Sequence, residues 1–140
     1  MTQDELLISE LKRDEGVIPH AYQDSLGYWT IGVGKLIDKR KGGRLSDAAI
    51  EYLLAEDIDS KVEDLDKNLP WWRNLTPARQ RVMINMCFNL GIGGLMKFKN
   101  TLDMIERGDF EGASKNMLLS LWAKQVGARA QRLSKMMKEG

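Results

Sequence analysis

The sequence has few of the residues on which metal, redox and disulfide proteins depend. Its 140 residues include one cysteine, one histidine and three prolines. Cys87 cannot form an internal disulfide, and because its helical neighbours are apolar we expect a small buried hydrophobic residue rather than a catalytic thiol. His20 lies far from Cys87 in the chain, so a zinc site or a Cys/His pair lacks ligands. We therefore expect neither a metal nor a cofactor.

Long apolar runs and a secretion signal are also missing. The most apolar stretch, residues 82–96, is too short for a transmembrane helix and contains two asparagines. Residues 1–16 are charged throughout, unlike the cationic start and apolar middle of a secretory signal. These features predict no stable membrane insertion. They also predict a protein that is made and kept in the cytoplasm until another agent releases it.

The size and composition are those of one globular domain. Hydrophobic residues make up 43% of the chain and charged residues 29%, which suffices for a core without disulfides. Apolar residues at three- and four-residue spacing predict helices, whereas the aromatic and β-branched run at residues 28–33 follows turn formers and predicts a small hairpin sheet. The expected fold class is α+β and mostly α-helical.

Capping residues and glycines set the predicted helix boundaries. Thr2 and Glu5 match a capping box, Ser46 is a suitable N-cap, and Thr76 precedes a proline in the first helical position. Gly91 should end the third helix, with a tight connection after it. The predicted helices cover residues 2–15, 46–69, 76–91, about 101–106, 110–123 and 128–137.

The net charge of +1 hides an uneven distribution. Residues 46–67 hold eight acidic residues against two lysines, whereas residues 115–140 hold six basic residues against one glutamate. The basic end could favour an anionic polymer, either nucleic acid or cell wall. Solvated helix faces are the simpler interpretation.

Residues 14–35 contain three side chains suited to glycoside hydrolysis: Glu15, Asp24 and Thr30. An inverting glycosidase needs a carboxylic acid beside the glycosidic oxygen and a carboxylate that activates water on the opposite face. Glu15 would lie in the last turn of a helix and Asp24 in a polar turn, and different environments are what an acid and base pair requires. The hydroxyl of Thr30 could hold the water. Taken alone, such a set could equally be solvated carboxylates.

The order and spacing of these residues belong to a longer pattern. The chain reads Glu15-Gly16, then Tyr22-Gln23-Asp24, then Gly27-Tyr28-Trp29-Thr30-Ile31-Gly32-Val33-Gly34, and continues through "INMCFNLG" at residues 84–91, Phe98, Asn100, Asn116 and residues 122–129. This pattern resembles that of the T-even-type bacteriophage lysozymes, and the register of the catalytic region holds without a gap. The resemblance implies that Glu15, Asp24 and Thr30 form the catalytic triad.

The resemblance also implies roles for residues in the second half of the chain. Phe88, Asn89 and Asn116 would line the sugar cleft, and Arg129 would support the site by pairing with the catalytic glutamate. Each role has a simpler alternative: Phe88 has core spacing, the asparagines could satisfy backbone groups, and Arg129 could be an exposed cation. The four tryptophans favour packing over sugar stacking.

The implied fold is a single lysozyme-like domain over residues 1–140. A small β lobe at about residues 16–45 would be joined by an interlobe helix at about 46–69 to a helical lobe formed by residues 1–15 and 70–140, with the cleft between the lobes. The β lobe is shorter here than in the prototype. Lys35 replaces the prototype's histidine, and we expect it to pair with Asp57.

The implied activity is that of an endolysin muramidase. It would hydrolyse, with inversion, the β-1,4 bond between N-acetylmuramic acid and N-acetylglucosamine in bacterial cell-wall peptidoglycan. We expect a bacteriolytic monomer without a nucleic-acid partner, released from the host cytoplasm through a holin lesion. One alternative is a catalytically silent glycan-binding or lysis-regulating module, although neither Glu15 nor Asp24 is substituted. Another is nucleic-acid binding through the basic C-terminal helices.

Overall fold

The computed structural model describes residues 3–15, 18–23, 29–32, 35–38 and 46–140, the three short ranges by their backbone. The described part is mostly helical, as the spacing of apolar residues predicts. The chain divides into two compact units, and the boundary lies between Asp59 and Ser60, inside a long helix. Each unit has its own buried residues and is described separately below.

The helices and strands have the following bounds. The helices are α1 (Gln3–Glu15), α2 (Asp47–Asn68), α3 (Pro77–Met96), α4 (Lys99–Glu106), α5 (Phe110–Leu119), α6 (Leu121–Val126) and α7 (Ala128–Glu139), with a 3-10 helix at Pro70–Asn74. The strands are β1 (Ile18–Gln23), β2 (Trp29–Gly32) and β3 (Lys35–Asp38).

The first unit contains α1, the strands and the first part of α2. The strands form an antiparallel sheet in the order β1-β2-β3, in which Thr30 of the middle strand lies opposite Tyr22 and Leu36. The buried residues of the two helices are Leu7, Leu11, Ile50 and Leu54. An ion pair of 2.9 Å joins Lys12 Nζ to Glu51 Oε1, but its exposure keeps its contribution below about 1 kcal/mol.

The second unit is built around α3. Residues 82–87 are all buried, so this helix has no solvent face over its middle turns. Side chains from the following helices complete the core: Leu102, Ile105, Ala113, Met117, Ala130, Leu133 and Met137. Between α5 and α7, Ser114 Oγ and Ser134 Oγ lie 2.6 Å apart, and Ser134 Oγ donates to the Ser114 carbonyl, so these buried hydroxyls are paired.

The environment of Cys87 matches its predicted role as a small buried hydrophobic residue. The side chain is fully buried on α3, and burial raises the pKa of the thiol to about 11. Because the reactive form of cysteine is the thiolate, a thiol that stays protonated at neutral pH is a poor nucleophile. This geometry argues against a catalytic thiol.

Local side-chain caps begin two of the helices where the sequence predicts. Ser46 Oγ accepts a hydrogen bond of 3.2 Å from the Ala49 amide at the start of α2. Thr76 Oγ1 accepts one of 3.3 Å from the Arg79 amide, and a proline occupies the first position of α3. The predicted N-cap of the first helix, Thr2, lies outside the described residues.

The prediction of one helix over residues 110–123 is wrong, because the helix is interrupted at Ser120. The Ser120 backbone is extended, with φ −76° and ψ 157°. Its hydroxyl donates to the Met117 carbonyl at 2.7 Å and accepts from the Ala123 amide at 3.1 Å. One serine therefore caps both the end of α5 and the start of α6, without a glycine or proline to mark the break in the sequence.

The third helix breaks at Gly91, as predicted, but the tight connection predicted after it is wrong. Gly91 has φ 71° and ψ 163°, a conformation open mainly to glycine, and helical backbone resumes from there to Met96. Gly93 and Gly94 therefore lie in helix rather than in a turn. The added turn leads directly into the start of α4.

A glycine pair in α3 allows a test of this backbone strain. Gly91→Ala should lower the free energy of unfolding by about 1–3 kcal/mol, because alanine is disfavoured at that φ even though a Cβ there would contact nothing within 4 Å. The control is Gly93→Ala, which also has open space but a helical backbone and should stabilise by up to about 1 kcal/mol. Urea denaturation measures both; equal effects would contradict the assignment.

A second prediction concerns the acid stability of the 3-10 helix. Asp66 accepts hydrogen bonds from Arg73 Nε and Trp72 Nε1, each at 2.8 Å. These two bonds lower the carboxyl pKa from 3.8 to about 2, and the bond from Arg73 has the larger effect. A lowered pKa contributes stability above pH 3.8 that is lost as the pH falls toward about 2. Asp66→Asn should therefore flatten the decline of the urea midpoint over that interval, read by tryptophan fluorescence. Glu63→Gln removes another exposed carboxylate on α2 and is the control; an identical decline in wild type and Asp66→Asn would reject the linkage.

Candidate active site

The predicted general acid, Glu15, is the last residue of α1. Its position in the final turn agrees with the sequence analysis, and the side chain is half-buried. Lys12 and Arg13 share this turn, where cations complement the negative end of the helix dipole. The helix therefore delivers a carboxyl group to the point where the chain leaves α1 for the sheet.

The other two residues of the predicted triad are described less fully. Thr30 lies in the central strand β2, paired through its backbone with Tyr22 and Leu36, and its side chain lies outside the described residues. Asp24 lies outside the described residues altogether. The proposed pair of Lys35 and Asp57 also depends on a side chain outside them. The catalytic roles and the separation of the carboxyl groups remain predictions.

Arg129 of the second unit is held by an asparagine on the central helix. Its side chain is only 7% exposed, so the alternative of an exposed cation is wrong. Arg129 Nε and Nη2 donate to Asn85 Oδ1 at 3.0 and 2.8 Å. A buried guanidinium needs such partners, because burying a charge without them costs several kcal/mol.

Asn85 is a residue that the sequence reasoning missed. It lies within "INMCFNLG", where the sequence suggests no role for it beyond interrupting an apolar stretch. The available signal was a polar residue in a helix, flanked by the apolar residues 82–84 and 86–88, because a buried amide requires a hydrogen-bonding partner. Asn85 therefore positions Arg129 rather than forming part of the sugar-binding set.

Asn89 is joined to a buried tryptophan. Trp122 Nε1 donates to Asn89 Oδ1 at 2.7 Å, which fixes the orientation of the amide. The Trp122 ring also meets Phe98 edge to face, with centroids 6.0 Å apart at 82°. Trp72 and Trp122 are buried, so for these two the packing interpretation is confirmed over sugar stacking. Phe88 is half-buried on α3.

Asn116 lies in an open groove of about 320 Å³ in the second unit. Its Nδ2 donates to Thr101 Oγ1 at 3.2 Å. Thr101 is buried, so the Asn116 amide is oriented by a hydrogen bond to the protein interior. The residues that line the groove are Lys97, Phe98, Lys99, Asn100, Thr101, Asn116, Leu119 and Ser120. Phe88 and Asn89 are not among them, and their assignment to a sugar site stays a prediction.

The chemistry of this groove is suited to binding. Among the described residues, its lining offers amides, hydroxyls, an aromatic ring and two lysines, and no carboxyl group. Amides and hydroxyls can exchange hydrogen bonds with the hydroxyl and acetamido groups of a sugar.

The described residues contain neither a metal site nor a membrane span. Among them, no group of three or more His, Cys, Asp and Glu side chains could hold a metal ion. None of the helices in the described part is both long enough and apolar enough to cross a bilayer.

Comparisons with known proteins agree with the family resemblance. Residues 12–138 match the family model described as phage lysozyme. The pre-baseplate central spike protein Gp5 of Enterobacteria phage T4 is 30% identical over 149 aligned positions, which cover 89% of this chain but only 26% of the spike protein. This chain therefore spans about a quarter of that relative's length.

Two further relatives are matched over most of their length. Probable T4-type lysozyme 1 of Dictyostelium discoideum is 27% identical, with 93% of this chain and 92% of that protein aligned. The endolysin of Acyrthosiphon pisum secondary endosymbiont phage 1 is 29% identical, with 85% and 80% aligned. These names support a lysozyme-like glycoside hydrolase. Because the family model covers nearly the whole chain, the protein belongs to the phage lysozyme family.

Proposed function

We propose that the protein is a muramidase that hydrolyses the β-1,4 bond between N-acetylmuramic acid and N-acetylglucosamine in bacterial peptidoglycan. The observation that carries the proposal is the family match over residues 12–138, a range that includes Glu15, Asp24 and Thr30. Relatives that are named lysozyme and endolysin support the substrate class. Bacterial lysis, as an endolysin, is the role in which such an enzyme would act.

The three triad residues would divide the reaction between them. Glu15 donates a proton to the glycosidic oxygen as the bond to the leaving sugar breaks. Asp24 takes a proton from a water molecule that Thr30 holds on the opposite face of the ring, and that water attacks the anomeric carbon. The reaction consumes one water, and the configuration at the anomeric carbon inverts.

The second unit would supply sugar-binding groups and a supporting cation. Asn116 is the best supported of these residues, because its amide is oriented by Thr101 within an open groove. Phe88 and Asn89 are proposed to contact sugar as well, and the bond from Trp122 orients the Asn89 amide. Arg129, held by Asn85, is proposed as the supporting residue.

The lobes, the cellular route and the oligomeric state belong to the same proposal. The domain would consist of a small β lobe at about residues 16–45, an interlobe helix at 46–69, and a helical lobe formed by residues 1–15 and 70–140. The antiparallel pairing of the three strands supports the β lobe, and the continuous α2 supports the interlobe helix. The enzyme would act as a monomer and reach the wall through a holin lesion.

The role of Glu15 leads to a test on purified peptidoglycan. Glu15→Gln keeps the shape of the side chain but removes the proton donor, so the rate of turbidity clearing should fall by at least about 10²–10⁴-fold. Glu10→Gln, on the same helix, is the matched control and should clear at the wild-type rate. Circular dichroism and thermal melting should show intact folding for both. Near-wild-type clearing by Glu15→Gln would falsify the assignment.

The proposed water-activation mechanism also predicts the first product. If Asp24 and Thr30 hold a water, the two carboxyl groups should lie roughly 6.5–9.5 Å apart and a β-linked sugar should yield the α-anomer. A nucleophilic Asp24 would require a separation of about 5–5.5 Å and would give the β-anomer. Proton NMR of a cleaved soluble wall fragment, recorded before mutarotation, distinguishes them. A β-anomer appearing first would rule out inversion even if Glu15 and Asp24 are both essential.

A further inference from the structure

Three leucines are exposed together where α5 meets α6. The exposed fractions of Leu118, Leu119 and Leu121 are 46%, 78% and 69%. They flank Ser120, whose hydroxyl ends one helix and begins the next, so the helix break presents them at the surface. Single exposed apolar residues are ordinary, but a group of large ones marks a binding surface. These three residues are called the leucine patch below.

Lysines border the leucine patch on two sides. Leu119 lines the groove of Asn116, whose charged residues in the described part of the chain are Lys97 and Lys99. Leu118 lines a second groove, of about 330 Å³, between α5 and α7. The charged residues of that second groove are Lys115, Lys135, Lys138, Glu111 and Glu139. Counted over the described residues, the first groove therefore has a net charge of +2 and the second a net charge of +1.

We propose that the leucine patch and its bordering lysines bind the surface of an anionic lipid bilayer. Exposed leucines can enter the boundary between head groups and acyl chains, while the ammonium groups of lysines stay at the level of the anionic head groups. Apolar burial and charge attraction then act at the same surface. The binding is peripheral and requires no helix to cross the membrane. It does not depend on the proposed hydrolysis.

Other partners fit this surface less well. A nucleic acid or an anionic polysaccharide would engage the lysines but offers little aliphatic surface to cover three leucines. A second copy of the chain could cover the leucines, but a symmetric dimer would bring the lysines of the two copies together. The surface of an anionic bilayer offers apolar chains to the leucines and negative head groups to the lysines.

The experiment is co-sedimentation of the full chain with vesicles. Wild-type protein should bind vesicles of phosphatidylglycerol and phosphatidylethanolamine and should bind pure phosphatidylcholine vesicles far more weakly. The double variant Leu119→Gln/Leu121→Gln should lower the partition coefficient at least about tenfold, because two apolar side chains no longer leave water. Tyr52→Gln removes another exposed apolar residue, in the first unit and outside the patch, and should bind like wild type.

The charged arm uses single lysine substitutions. Lys97→Gln and Lys99→Gln should each lower the partition coefficient about fivefold, because each removes one cation from the anionic surface. Lys67→Gln is the control, since this exposed lysine lies on α2 and lines neither groove. Added salt should weaken binding of the wild type.

Several results would overturn the proposal. Equal binding to anionic and neutral vesicles would remove the role of the lysines. Wild-type affinity in the leucine double variant would remove the role of the patch. A dimer in sedimentation velocity that the leucine substitutions dissociate, without vesicle binding, would assign the patch to self-association.

Discussion

The burial of the middle turns of α3, residues 82–87, on all sides is the constraint on which the rest of the second unit depends. A helix without a solvent face must satisfy each of its polar side chains from neighbouring helices. Asn85 does so with the guanidinium of Arg129 on α7, and Asn89 does so with the indole of Trp122 on α6. Leaving a buried polar group such as Asn85 without its partner costs about 1–3 kcal/mol, so its bond holds α7 against α3, and the bond to the half-buried Asn89 joins α6 to the same helix.

The same bonds connect the core to the residues proposed for function. Asn85 accepts from the buried Arg129, and the Asn89 amide has one orientation because the indole donates to its oxygen. The Asn116 amide is also oriented by a buried group, because the Thr101 hydroxyl accepts a hydrogen bond from it. Side chains that would bind sugar are thus oriented by groups behind them, which lowers the entropy lost on binding.

The residues proposed for sugar binding and those proposed for acid–base chemistry lie in different parts of the chain. Among the described residues, the groove of Asn116 has amides, hydroxyls and lysines but no carboxyl group. The carboxyl groups of the proposed triad belong to the N-terminal stretch, where Glu15 ends α1. The helix break at Ser120 also creates an apolar surface. Because α5 ends there, leucines are exposed beside the lysine-lined grooves.

Local signals in the sequence determined several of this protein's helix boundaries and one of its buried residues. Ser46 and Thr76 begin helices because each can accept from an amide three residues on, Gly91 breaks α3 because of its positive φ, and Cys87 is buried because its helical neighbours are apolar. The motif around Glu15 also identified the family. Tertiary structure alone decided the break at Ser120 and the burial of Arg129. The helix breaks at Ser120 because the serine hydroxyl caps a helix end instead of lying within one continuous helix. The buried Arg129 bonds to an asparagine that lies 44 positions away in the chain. Partners so distant in sequence leave no local pattern, so only the packed helices determine them.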